Sequence, residues 1–543
     1  MADRTPALAQ RPPRRVEVLA ALSVAIDLGL GQPAEHMLRS AILACRLADR
    51  LGLTREQRGT VYYTTLVMWI GCHADSPEYA RWFGDDIAVR RDAYLVDWAG
   101  LPYLRFLVGN VARGEPLPTR VRVLAELLRD ARGQLRTLIH SHCTSAATLA
   151  RHLGLGDGTA DALGYAFERY DGGGLPRGAR GDAIPIETRV AHLADVAEVH
   201  HRLYGVDAAA AMVRERRGGH LDPVVADAFL ADPAGALAGL ATTGPAATGP
   251  GTTGPDGVDV WAAGLAEAPD PEVPLDAGRL DTVLAAVGDF VDLKCPFTLG
   301  HSRRVAELAS AAARLAAPST VDGDVLRRAG YLHDIGRLGV SNQIWSKAGP
   351  LGATEWERVR MHPYLGGRVL SKVPGLAAEA ALVRTHHEHL DGSGYPLGLP
   401  AASLPPADRL LSAAVAYASA LEPRPYREPL AEPAALDRLR TRVRRGELDA
   451  ASVEAVLAAA GHHAPRPPRP AGLTAREAEV LGMVARGRSS REIAGRLGIS
   501  EKTVRNHIER VYAKIDVSNR VGASLYALQH GLAHLDGDPD GAP

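Results

Sequence analysis

The sequence predicts an all-α protein: two large helical blocks in tandem, followed by a small C-terminal block of four helices built around a helix-turn-helix. Three observations carry this expectation. Apolar residues recur at helical spacing in VLAALSVAIDL (from Val18), MLRSAILACRLADRLGL (from Met37) and RVAELASAAARLAA (from Arg304), whereas alternating strand patterns are scarce. At 543 residues the chain is too long for one core. Two linker-like stretches divide it: ATTGPAATGPGTTGPDG (Ala241–Gly257), with too little apolar surface to pack, and HHAPRPPRPAG (His462–Gly472), stiffened by proline. The resulting division is a disordered tail over 1–15, a first block over 16–235, a linker over 236–275, a second block over 276–461, a Pro-rich linker over 462–471, the C-terminal block over 472–535 and a tail over 536–543.

The first and second blocks repeat one another. RYDGGGLPRG (Arg169–Gly178) mirrors HLDGSGYPLG (His389–Gly398), and the pairs His142/His362, Asp171/Asp391 and Arg189/Arg409 are all 220 residues apart. Upstream, His36 and His301 are 265 apart, so the first copy carries an insertion between these landmarks, expected within Ser76–Gly133. A constant offset over three landmarks implies a tandem duplication of one helical domain. The first copy has Met68-Trp69 and Ala166-Phe167 where the second has His333-Asp334 and His386-His387, yet it keeps His36, His142 and Asp195. It is expected to be catalytically empty, with Met68, Trp69 and Phe167 in its core and Asp195 confined to its own helix bundle.

The second block collects metal-ligand residue types: His301 in GHSRRVA, His333-Asp334 in LHDIGR, His362 in RMHP and His386-His387 in HHEHLDGSGYP. Imidazoles and a carboxylate from separate helices suit a borderline transition metal. Neighbouring helical residues diverge by about 100°, so a His-Asp pair can address two metals rather than chelate one. His389, by contrast, reads as an ordinary structural histidine.

These segments, with DGSGYP and the later RPYR (Arg424–Arg427), resemble the HD-GYP branch of the HD phosphohydrolase superfamily over Leu280–Ala459. Members of that family hydrolyse cyclic di-GMP and related nucleotides with iron or manganese. The resemblance implies one metal at His301, His333 and Asp334 and a neighbour at Asp334, His362, His386 and His387, with Asp334 bridging. It also places Asp334 and Arg337 in catalysis, Arg337 standing where the family has a lysine. One departure matters: the family pattern has an aspartate six residues after Arg409, and here that position is Val415. The expectation is therefore a divalent transition metal of the iron or manganese type, bound as one ion rather than two.

In the C-terminal block, Thr474 and Glu477 form a capping box before Val480, Leu481 and Val484. Ser490 is expected to cap REIAGRL, which ends at Gly498, and Ser500 to cap a helix over Glu501–Ile515 with Val504, Ile508, Val511 and Ile515 on one face. The other face carries Lys502, Thr503, Arg505, Asn506 and Arg510, types that reach phosphates and base edges. From Gly472 to Leu535 ten Lys or Arg stand against six Asp or Glu, a local excess in a chain of net charge -1. The whole stretch from Leu473 to Arg520 resembles the LuxR-type helix-turn-helix family. That resemblance implies a recognition helix over Glu501–Ile515, with Lys502, Thr503, Arg505, Asn506, His507 and Arg510 near DNA, and a dimerising last helix over Val521–Gly531.

Several classes are excluded. Net charge -1 rules out a general nucleic-acid coat, the four cysteines form no CxxC pair, the N-terminus lacks the apolar run of a signal peptide, and no run of about 18 apolar residues suggests a membrane span. The expectation is a cytoplasmic, homodimeric regulator of promoter DNA whose HD-type domains sense a cyclic dinucleotide, another nucleotide or a metal, or mediate oligomerisation. Two alternatives stay open: a metal-dependent cyclic-dinucleotide phosphodiesterase that carries a DNA-binding domain, and a metal-free protein-interaction platform.

Overall fold

The computed structural model describes residues 11–240, 259–316, 321–462, 470–530 and 532. The Gly/Thr-rich stretch, most of the Pro-rich linker and the C-terminal tail lie outside them. Every regular element among the described residues is helical, and paired backbone is limited to isolated bridges such as Asp391 with Pro400. The chain forms two compact units, Met1–His462 and His463–Pro543.

In the first unit the duplication is visible atom by atom. Asp27 accepts the Met37 N–H (3.1 Å), and its counterpart Asp292 accepts the Ser302 N–H (2.9 Å) and hydroxyl (2.8 Å). Glu168 accepts the amides of Arg177 and Ala179 at 2.8 and 2.9 Å, and Glu388 those of Leu397 and Leu399 at 2.7 and 2.8 Å, closing the equivalent glycine-rich loops. A Cβ on Gly336 would lie 1.9 Å from the His362 carbonyl oxygen, and one on Gly71 would lie 2.5 Å from that of His142. Glycine at both positions lets the turn after the His-Asp position press against the helix bearing the next histidine.

The two copies do not have separate cores. The helix Arg15–Leu30 is buried on nearly all faces, as an all-round apolar helix must be. Its Val16, Leu19, Leu22 and Ile26 belong to one continuous cluster with Leu280, Leu284 and Phe290 of the helix Ala277–Asp292 and with Ile335, Leu338 and Val383 of the second copy. A smaller cluster, including Val305, Leu411, Val415 and Leu439, completes the second copy. Within the stretch read as a linker over 236–275, Ala236, Leu237, Leu240, Val260 and Leu265 are buried in this shared core. The helix Val260–Ala266 packs on the first copy, where Tyr62 donates to the Gly264 carbonyl at 2.9 Å.

The inserted segment forms four helices, Ser76–Phe83, Asp86–Ala93, Gly100–Asn110 and Leu117–Arg129, around a small core that includes Trp82, Phe83, Val111 and Leu127. One of its residues reaches the second copy. Asp86, fully buried, accepts the Ser341 hydroxyl and the Asn342 N–H at 2.7 Å each, pairs with Arg90 at 3.1 Å and lies 3.5 Å from the buried Lys294 ammonium. Burial opposes the ionisation of Asp86, but Lys294 and Arg90 hold its carboxyl below the usual range.

The second unit comprises the helices Ala475–Ala485, Ser490–Leu497, Glu501–Lys514 and Arg520–Gln529. Thr474 and Glu477 form the expected capping box. The cap of the next helix is Ser489, not Ser490: its hydroxyl pairs with Glu492 three residues on, and Ser490 already lies inside the helix. Val480, Val484, Ile493 and Val504 pack together, and Leu481, Val511, Ile515 and Ala523 form the adjoining cluster. Lys514 ties the third helix to the first through Glu477 at 2.7 Å.

Candidate metal centre and nucleic-acid interface

Five histidines from four separate segments of the second copy gather around Asp334. His301 begins the helix His301–Leu315, His333 and Asp334 follow the helix Gly323–Leu332, His362 begins the helix His362–Leu370, and His386-His387 follow Ala377–Thr385. The Asp334 carboxylate faces two ways. Its Oδ1 lies 3.4 Å from His362 Nε2 and 3.9 Å from His386 Nε2, and its Oδ2 lies 3.5 Å from His333 Nε2 and 3.9 Å from His301 Nε2. Two triads result, His362/His386/His387 and His301/His333/Asp334, each with its donor atoms within 4.8 Å of one another.

The outer nitrogens fix what the inner ones can do. Nδ1 of His333 donates to the Gly330 carbonyl (2.8 Å), that of His362 to Val359 (2.7 Å) and that of His386 to Val383 (2.7 Å). His301 Nδ1 meets the Glu422 carboxylate at 2.8 Å. With Nδ1 donating to a carbonyl, the neutral rings of His333 and His386 each present a bare lone pair at Nε2. Yet Nε2 of His301 and His333 are 3.3 Å apart, and those of His362 and His386 are 3.2 Å apart. A divalent cation beside each pair would take up these nitrogens, and the carbonyl bonds behind His333, His362 and His386 are of the kind that orient metal-bound histidines.

Burial keeps His333, His386 and His387 neutral, while the charges around Asp334 keep its carboxylate ionised. Burial pushes His333 down to about 4 and holds His386 and His387 well below the ordinary imidazole value. Burial alone would raise Asp334, but His333, Arg337 and His362 hold it far below the usual carboxylate range. Arg337 donates to Asp334 Oδ2 at 2.8 Å and lies 4.0 Å over the Trp345 ring. Val415 is buried where the resemblance implied an acid. His389 stands apart, bonded to Ser393 (2.9 Å) and Arg442 (2.6 Å).

Glu422 and Trp345 had no sequence motif to announce them. Glu422 lies just past the end of the helix Pro406–Ala420 that carries Val415, two residues before the RPYR stretch.

The matching place in the first copy is filled by hydrogen bonds. Trp69 donates its indole N–H to Asp195 Oδ2 (2.9 Å), His36 sits between Asp195 (3.0 Å) and Glu198 (2.5 Å), and Arg39 donates to Glu198 (2.6 Å). Burial disfavours charge on His36, but Glu198 and Asp195 raise it to about 9, so this imidazole is a cation. Tyr94 packs edge-on against His36, Trp69 meets Trp98 and Phe167 edge to face, His142 meets Phe167 likewise, and Asp75 accepts from His142 Nδ1 at 2.9 Å. Asp195 thus has its partners within its own copy.

In the C-terminal unit Val504 and Val511 face inward, while Lys502, Thr503, Arg505, Asn506 and Arg510 are exposed and His507 is half-buried. The positions expected to meet DNA therefore share the outer surface of one helix. The described last helix, Arg520–Gln529, directs Ala523 and Ala527 into the core and leaves Leu525 exposed.

Both parts of the chain are similar to known proteins. A family model described as an HD domain matches residues 114–225 and 286–451, and the model for bacterial regulatory proteins of the luxR family matches 471–527. The 3′3′-cGAMP-specific phosphodiesterase 3 of Vibrio cholerae is 30% identical over 414 residues, 76% of this chain and 87% of that protein. A cyclic di-GMP phosphodiesterase of Thermotoga maritima is 33% identical over 149 residues, 27% of this chain and 40% of its own length. The crystal structure of a cyclic GMP-AMP specific phosphodiesterase of V. cholerae superposes with a TM-score of 0.55 at 25% identity, covering 83% of this chain and 99% of that one.

Proposed function

The chain belongs to the HD-domain family and ends in a luxR-family DNA-binding domain, and on that premise we propose that it is a transcription regulator whose second HD copy binds a divalent metal and a cyclic dinucleotide. The observation that carries this reading is the convergence of five imidazoles on the Asp334 carboxylate, with two pairs of Nε2 atoms 3.3 and 3.2 Å apart, a nitrogen and oxygen donor set suited to a transition metal. His362, His386 and His387 with Asp334 Oδ1 would hold one ion firmly. His301 and His333 with Asp334 Oδ2 would hold a second weakly, because Val415 supplies no oxygen. A bound divalent metal supplies Lewis-acid stabilisation of charge on a phosphoryl group. The chain's own contribution is to fix the ligands through Gly330, Val359, Val383 and Glu422 and to present the Arg337 cation beside them. The output is DNA binding by Lys502, Thr503, Arg505, Asn506, His507 and Arg510, with a second copy of the chain on a two-fold site.

A second reading, hydrolysis of the dinucleotide, is favoured by the survival of both triads. Metal analysis of purified protein combined with turnover of 3′3′-cGAMP and cyclic di-GMP separates the two. The regulator reading expects about one metal per chain and little turnover, with Val415→Asp raising both. Protein that retains no metal from a metal-replete buffer refutes the metal site, and brisk turnover by the unmodified chain refutes the purely regulatory reading.

A further inference from the structure

A cavity of about 120 Å³ lies against the metal-type cluster, with His386, His387 and Val415 in its wall and the helix Glu432–Arg444 across from them. About 10–15 Å³ suffices for one water, so there is room here for a group of several heavy atoms. Arg427, Arg438 and Arg442 all line it, and no Asp or Glu does.

The three guanidiniums are not equivalent. Arg427 is committed to backbone carbonyls, donating to Ser419, Ala420 (3.1 Å), Glu422 (3.3 Å) and Glu428 (3.2 Å), which makes it a strut of its turn. Arg442 donates to Glu447 at 2.7 Å and to His389 at 2.6 Å. Arg438 has no ion pair or hydrogen bond within the described residues, is exposed to solvent, and stands close enough to Arg427 for the two charges to oppose each other. Valine at 415 removes the acid that would otherwise offset this charge from the opposite wall. The hydroxyl residues Ser412 and Ser419 add neutral donors. Uncompensated guanidinium beside a metal-type cluster matches a phosphoryl group, which offers several acceptor oxygens to the planar guanidinium fork.

We propose that this cleft is an oxyanion subsite in which Arg438 takes a phosphoryl group of the nucleotide, as a specificity-determining residue. The proposal rests on the reading that the second HD copy handles a nucleotide. The test is calorimetric titration of the full chain with inorganic phosphate and, separately, with 3′3′-cGAMP, for the unmodified protein, Arg438→Ala and Arg438→Lys. A charge-assisted hydrogen bond makes the expected loss for Arg438→Ala roughly 10- to 100-fold in affinity for both probes, with part of it restored in Arg438→Lys. Metal content and thermal midpoint should not move, because this side chain is exposed and unpartnered. Equal phosphate affinity in the unmodified protein and Arg438→Ala, or no phosphate binding at all, overturns the proposal. Phosphate binding that depends on Arg438, without any binding of 3′3′-cGAMP, upholds the subsite and refutes the cyclic dinucleotide as its ligand.

Discussion

Replacing Asp86 by alanine should destabilise the first unit by about 3–5 kcal/mol, the cost typical of breaking a buried ion pair from one side. The figure follows from what is left behind. Lys294 and Arg90 are both buried, and Asp86 is the carboxylate that pairs with each. Arg90 keeps the Cys72 carbonyl (2.7 Å) and the Ser76 hydroxyl (3.1 Å), so part of its demand is still met. Lys294 Nζ has no hydrogen bond, and the Asn342 N–H loses its acceptor at the start of the helix Asn342–Trp345. Each orphaned donor adds about 1–3 kcal/mol within that range. The assay is equilibrium urea unfolding of the full chain, following the transition of the larger unit. Asp86→Asn, which keeps an acceptor oxygen but loses the charge, should fall between the unmodified protein and Asp86→Ala. Pairing Asp86→Leu with Lys294→Met should recover much of the loss, since it removes charge from both sides. A loss below about 1 kcal/mol for Asp86→Ala would show that the two cations reach water easily, and the account of this interface would be wrong.

Three further outcomes follow from the geometry. Glu422→Gln should weaken metal retention about 10- to 100-fold in a chelator competition, because His301 loses the carboxylate that orients it; unchanged competition would remove Glu422 from the site. His36 is raised to about 9 from an ordinary 6.5, so its contribution to stability is complete below about pH 6.5 and is lost as pH rises through 9; the urea midpoint should fall across that window and His36→Gln should flatten the fall. An Asn506→Ala/Arg510→Ala pair should weaken binding to promoter DNA, with a shallower salt dependence from the lost phosphate contact, and binding that is unchanged and insensitive to salt would disqualify the helix Glu501–Lys514 as the reading element.

Much of this was legible in the sequence because the signals are local or periodic. The constant offset between His142 and His362, and between Asp171 and Asp391, reports a duplication whatever the packing, and Asp27/Asp292 and Glu168/Glu388 repeat it in hydrogen bonds. The convergence of His301, His333, His362 and His386 was signalled by motif, but the direction of their lone pairs was not. Ring orientation depends on which carbonyl or carboxylate captures Nδ1, and for His301 that partner is 121 residues away. The merged core is not legible in the sequence because apolar periodicity shows that a face is buried and not what buries it: the pattern of Arg15–Leu30 would be the same against its own copy or the other. Asp86 carries no motif, and its importance comes from Ser341, Asn342 and Lys294, which only the fold brings to it.

The shared core has a genetic consequence. A domain that has given up its ligands usually becomes tolerant of mutation, since nothing is left to protect except solubility. Here Leu19, Leu22 and Ile26 of the first copy pack in the same cluster as Ile335 and Leu338, which flank the metal-type residues. Random mutagenesis should therefore return loss-of-function alleles in the first copy as readily as in the second, and cutting the gene between the copies should yield two insoluble fragments. Selection on one set of ligands would then have preserved the interior of both halves.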